Sequence, residues 1–125
     1  MKDLTPGFFP FFVCELEYVS KWIHNSLMYL LKTTDHFEKW LHKLKDKQGK
    51  ARILASLKLL EQGHIGDWKS VGGKVSELRV HYGAGYRIYF ARQEDVIIVL
   101  LNGGDKASQS RDIEKAKAIL KNLEA

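Results

Sequence analysis

Midway along this chain the hydrophobic residues pass from a helical period to a strand period, and that change limits the fold more than any other feature. Between Asp35 and Gln62 they recur every three or four residues, as on the buried stripe of a helix. From Val75 to Arg92 they alternate with polar residues, as on a strand with one buried face. Helical and strand patterning thus occupy separate stretches, which reads as an α+β domain.

The local signals divide the chain further. Met28–Lys32 is a short strand candidate ended by Thr33-Thr34-Asp35. Asp35 followed by Glu38 fits an N-cap with a carboxylate at the third helical position, and Phe37, Trp40, Leu41 and Leu44 supply that helix with an apolar face. A second helix is expected from about Gln48 to Gln62, with Ile53, Leu54, Leu57 and Leu60 buried and Gly63 as its stop. A loop carrying Gly63, Gly66, Gly72 and Gly73 follows.

Two strands, Val75–Tyr82 and Tyr86–Arg92, flank Gly83-Ala84-Gly85, a hairpin signal. Opposed residues point to one face, so a three-residue loop would pair Tyr82 with Tyr86, Val80 with Ile88 and Leu78 with Phe90. The same register sets His81 opposite Arg87 and Arg79 opposite Tyr89, on the face away from the helices. Val96–Leu101 is continuously apolar, as a central strand buried on both faces should be, and Asn102–Lys106 leaves it as a loop. Ser108 or Ser110 can cap a last helix whose apolar face is Ile113, Ala116, Ile119, Leu120 and Leu123. The expected order is β-α-α-β-β-β-α, a small antiparallel or mixed sheet.

At 125 residues the chain holds one core and excludes a two-domain enzyme with a nucleotide fold. Its single Cys14 excludes an intramolecular disulfide and a cysteine-based zinc site, and fits a reducing compartment, the cytoplasm. Residues 8–31 are hydrophobic enough to suggest a membrane span, but Glu15, Glu17, Lys21 and His24 interrupt them. Lys2 is cancelled by Asp3 and Pro10 splits the apolar run, against a secretion signal. Residues 1–27 read instead as an extension, with an amphipathic helix from about Phe11 to Ser26, and residues 28–125 as the functional domain. The net charge of +5 is uneven: the extension has two cations and three carboxylates, leaving 18 cations against 12 carboxylates on the domain. Such a balance favours a polyanionic partner, nucleic acid above others.

The histidines His24, His36, His42, His64 and His81 show no metal-ligand spacing, and no phosphate loop or dinucleotide fingerprint is present, so neither metal nor cofactor is expected. The constellation that carries chemistry is Arg79, His81, Arg87 and Tyr89 on one sheet face, with Lys74 before the hairpin and Lys106 after the central strand. It reads either as a solvated face whose cations discourage edge pairing or as a phosphate-binding face on which a tyrosine stacks a base. If the groups converge on one phosphate, a ribose 2′-hydroxyl could attack the phosphorus without metal while cations stabilise the developing charge.

The ordered segments Thr34-Asp35-His36-Phe37-Glu38-Lys39-Trp40-Leu41, Lys50-Ala51-Arg52-Ile53-Leu54, Gly66-Asp67-Trp68-Lys69-Ser70-Val71-Gly72, Ser76-Glu77-Leu78-Arg79-Val80-His81-Tyr82-Gly83, Gly85-Tyr86-Arg87-Ile88-Tyr89-Phe90 and Gly103-Gly104-Asp105-Lys106 resemble the RelE/ParE toxin superfamily. The nearest branch is the HigB-like, phage-related addiction-module killer proteins. This resemblance spans about Met28 to Leu123. It implies two N-terminal helices on one sheet face and an exposed concave face opposite. It also implies ribosome-associated mRNA cleavage and neutralisation by an antitoxin, usually a helix-turn-helix DNA-binding protein. Carried over by position, Arg87 matches the arginine on the scissile phosphate and Lys106 the basic residue after the last strand. Arg79, Lys74 and His81 follow as neighbouring cations or an acid/base group. Cleaving relatives often carry a tyrosine near the start of the last helix, where this chain has Ala107-Ser108-Gln109-Ser110-Arg111-Asp112, so the general base is unassigned. Two other readings remain: a ParE-like toxin that binds DNA gyrase, and a noncatalytic nucleic-acid-binding relic.

Overall fold

A computed structural model of the protein describes residues 4–5 and 28–124. The helix expected over Phe11–Ser26 lies outside the described residues. Six strands, β1 (Leu4–Thr5), β2 (Leu30–Thr34), β3 (Trp68–Gly72), β4 (Val75–Val80), β5 (Tyr86–Glu94) and β6 (Ile97–Gly104), form one sheet in the order β1-β2-β6-β5-β4-β3. Only β2 and β6 run parallel, so the sheet is mixed. Among the described residues the helices are α1 (Asp35–Lys43), α2 (Lys47–Glu61) and α3 (Gln109–Glu124), the last preceded by a 3-10 turn at Lys106–Ser108.

Strand alternation sorts the core into two layers. Phe37 of α1 and Ile53, Leu57 and Leu60 of α2 pack on Leu78, Val80, Ile88 and Phe90 on one sheet face. On the other face Ala116, Ile119, Leu120 and Leu123 of α3 cover Val75, Tyr89, Ala91, Val99 and Leu101. β6 lies between the layers, and Ile98 through Leu101 are fully buried. The reading of a central strand buried on both faces is therefore correct. The exposed concave face is not: α3 covers much of it, because the Ile113-to-Leu123 stripe needs an apolar surface and the second face of β5 and β6 supplies one.

Several local expectations are also corrected. The cap of α1 is Thr34: its Oγ1 accepts from the Phe37 amide at 3.1 Å and donates to the Leu101 carbonyl at 2.5 Å, which ties the helix start to the central strand. Asp35 is the first helical residue. Gly63 takes a φ of 93° just past α2, as a helix-terminating glycine should. Leu54, expected in the stripe of α2, is exposed. The 3-10 turn before α3 is capped by Asp105, whose carboxylate accepts from the Ala107 and Ser108 amides, rather than by a serine.

The glycine-rich stretch read as a loop contains a strand, β3, which makes the observed order from Leu30 onward β-α-α-β-β-β-β-α. β3 is an exposed edge strand and has no buried face to impose alternation. Gly73 and Lys74 turn it into β4, both with positive φ, as the two-residue turns that match strand twist require. The β4–β5 register differs from expectation by two residues. Val80 pairs with Tyr86, Leu78 with Ile88 and Arg79 with Arg87, so the loop runs over residues 81–85. A two-residue shift preserves the face of every side chain, which is why the sorting of the core still holds.

Candidate functional site

The face shared by Glu77, Arg79, Arg87 and Tyr89 holds a buried polar cluster rather than an open surface. Glu77 is fully buried in β4, and its carboxylate is the centre. Arg79 Nε donates to Oε1 at 3.1 Å, while the Gln109 amide at 2.7 Å and the Tyr89 hydroxyl at 3.3 Å donate to Oε2. Arg87 Nε lies 3.6 Å from Oε2, close enough for an ion pair but too long for a hydrogen bond, and this nitrogen has no acceptor. The cluster forms because strand pairing sets Arg79 opposite Arg87 and Glu77 opposite Tyr89, with the start of α3 closing over them.

The predicted site residues therefore separate. Arg79 and Arg87 come together through Glu77. Tyr89, proposed to stack a base, is fully buried and cannot do so in this arrangement. Burial pushes its phenol well above the ordinary tyrosine value, with the charge of Glu77 adding to the effect. Arg87 is 8% exposed, and its Nη1 donates to the Gly85 carbonyl at 2.9 Å. Lys106 is exposed nearby, its amide donating to Ala84 at 3.3 Å. A Cβ at Gly85 would lie 3.4 Å from both Arg87 Nη1 and Lys106 Cβ, so these two cationic residues flank one glycine. His81 stands exposed in the β4–β5 loop, with Nε2 at 2.5 Å from Asp67 Oδ2. Lys74 is not part of the group: it sits in the β3–β4 turn, five residues and roughly 16 Å along the strand from Arg79.

Sequence reasoning missed Glu77, Asp67 and Gln109. Glu77 had a readable signal, since it shares its strand parity with Arg79 and faces Arg87 and Tyr89 across the hairpin. Asp67 and Gln109 arrive from distant segments, and nothing in their local pattern marks them. Among the described residues, no three His, Cys, Asp or Glu side chains gather as a metal-ligand set.

A second polar pair braces the opposite face. The Tyr86 hydroxyl donates to Asp46 Oδ2 at 2.7 Å, and Asp46 caps α2 by accepting from the Gly49 amide at 2.9 Å. The hydrogen bond to Asp46, reinforced by burial, pushes Tyr86 up to about 12 from 10.0. The Gly49 amide and the Tyr86 hydroxyl hold Asp46 below its ordinary value. Because the neutral phenol is the form stabilised on folding, its contribution is fully present below pH 10.0 and is lost as pH rises through about 12. An ultraviolet tyrosine titration should show one group ionising in that window together with a fall in stability. In Tyr86→Phe that group should disappear and the fall should shrink, the buried Tyr89 phenol supplying what remains, and an unchanged alkaline profile in that variant would remove the assignment.

The phage-derived protein Gp49-like (DUF891) family model matches residues 39–124. An uncharacterized protein of Haemophilus influenzae is 46% identical over 93 residues, covering 74% of this chain and 94% of its own. No solved structure matches the chain. Among the described residues, no helix is long and apolar enough to cross a membrane. With a mixed α+β sheet and a family match over most of the domain, the chain belongs to the phage-derived Gp49-like family, a family of RelE-like toxins.

Proposed function

We propose that the protein is a HigB-like toxin of a type II toxin-antitoxin module and that it arrests translation by cutting mRNA on the ribosome in the cytoplasm. The observation that supports this reading is that Arg87 Nη1 and the Lys106 side chain both approach Gly85, which puts an arginine and a lysine within reach of one phosphate. In the reaction the ribose 2′-oxygen bonds to phosphorus and the bond from phosphorus to the 5′-oxygen breaks; the departing oxygen takes a proton from water, leaving a cyclic phosphate and a 5′-hydroxyl. Arg87 and Lys106 stabilise the charge on the nonbridging oxygens. His81, with Nε2 held by Asp67, has Nδ1 available to take the 2′-hydroxyl proton. A helix-turn-helix antitoxin encoded beside the gene neutralises the toxin.

Expression of the full chain from a tightly controlled promoter, followed by mapping of transcript ends, tests the reading. Arg87→Ala is expected to lower cleavage roughly 100- to 1,000-fold. Exposed His81→Ala should lower it about 100-fold with folding unchanged. Growth arrest with intact mRNA, or full cleavage by Arg87→Ala, would refute the nuclease assignment. The burial of Arg87 and Tyr89 favours one second reading, a ParE-like toxin that acts on DNA gyrase by binding. Inhibition of supercoiling by the purified protein, with mRNA left whole, would select it.

A further inference from the structure

A groove of about 360 Å³ opens between α1 and α3 at the end of β6. His36 and Trp40 form one wall, Gly103 and Gly104 line its base, and Arg111 and Lys115 stand on the other side. We propose that this groove binds one nucleotide of an RNA chain, its base against the Trp40 indole and its phosphate on Arg111 and Lys115. The inference rests on the RNA-cleaving reading and adds a subsite to it. Asp105 and Ser108, which line the groove, belong to the same short segment as Lys106, so a strand held at Arg87 and Lys106 passes its entrance.

The bonding of the groove's side chains favours that occupant. Arg111 and Lys115 are exposed, four residues apart on one face of α3, and no hydrogen bond or ion pair reaches either among the described residues. The two carboxylates of the groove are already engaged, Asp105 by the Ala107 and Ser108 amides and Asp112 by the Ser108 hydroxyl. Phosphate is the ligand chemistry that two unpaired cations leave open. Trp40 is half-buried and presents an aromatic surface on which a base can stack. Asn102, 3% exposed, also lines the groove: Nδ2 donates to the Asp112 carbonyl at 3.2 Å, and Oδ1 has no donor. A base amine or ring N–H, met by a small rotation of this side chain, would supply one and remove the cost of an unpaired buried acceptor. The volume is near the lower end of the ~300–1,000 Å³ range of small-ligand pockets and suits a single nucleotide.

Trp22→Phe with Trp68→Phe leaves Trp40 as the sole tryptophan of the full chain, and its fluorescence reads the groove. The probes are a short 2′-O-methyl oligoribonucleotide, which lacks the attacking hydroxyl, a nucleoside monophosphate, and inorganic phosphate. Quenching by the first two, tighter for the oligomer, is expected, with no response to phosphate alone. Arg111→Ala with Lys115→Ala should weaken binding by roughly tenfold or more. No response to either nucleotide, an equal response to phosphate, a mononucleotide response without one to the oligomer, or quenching indifferent to the Arg111 and Lys115 changes would each overturn the proposal. The mononucleotide arm in Arg87→Ala separates the two readings. Retained quenching with cleavage intact refutes the Arg87 site but supports the groove, whereas lost cleavage without any wild-type quenching does the reverse.

Discussion

Glu77→Ala is expected to lower the unfolding free energy by about 3–5 kcal/mol, because it leaves the buried Arg87 guanidinium without its carboxylate. The same change strips partners from the Tyr89 hydroxyl and the Gln109 amide. Arg79 contributes little to the loss, since its side chain is 32% exposed and water can replace the carboxylate. For a domain of this size the loss corresponds to a melting temperature lower by roughly 15–30 °C. Glu77→Leu combined with Arg87→Leu should recover much of it, since replacing both members of a buried pair by apolar groups is often neutral. Denaturant melts of the three proteins decide the matter: a Glu77→Ala midpoint close to the parent would mean that the carboxylate is not the brace described. Retained stability in the double variant with loss of cleavage would separate the fold's use of Arg87 from its chemical use.

The second large effect is expected at Gly103. A Cβ there would lie 2.4 Å from Trp40 Cε3 and Cζ3, and the indole also contacts Phe37, at 5.8 Å between ring centroids, and Tyr86, at 6.4 Å. A large ring held by two aromatic contacts has little room to withdraw, so Gly103→Ala should cost about 3 kcal/mol, near the upper end for overpacking. Trp40→Leu in the same chain should restore part of the loss, and a double-mutant cycle would measure the coupling between the two positions. Strict additivity would show that the glycine is not required by the indole.

The sequence patterns that held were those imposed by burial. Alternation in β4 and β5 sorted Leu78, Val80, Ile88 and Phe90 onto the helical face, and the unbroken run at Val96–Leu101 marked the strand enclosed on both sides. Features set by distant partners stayed hidden. β3 carries no apolar face, and Thr34 works as a cap while bonding to a carbonyl 67 residues away. The candidate site was legible as a set of cations on one strand parity, but not as a cluster around Glu77. A charged residue within an alternating strand reads as solvent-facing until a helix from the far end of the chain covers it. That cover comes from α3, whose apolar stripe was visible while its docking face was not.

The parallel pairing of β2 with β6 has a consequence for synthesis. Leu30 pairs with Ile97 and Thr33 with Leu100, so β2 must wait for α1, α2 and three intervening strands to be made before it gains its parallel neighbour. Lys106 and Gln109 come later still. A nascent chain on the ribosome therefore lacks the sheet centre, the second cation beside Gly85 and the helix that closes the Glu77 cluster. The paired cations and the buried carboxylate cluster therefore exist only once α3 has been made and has docked.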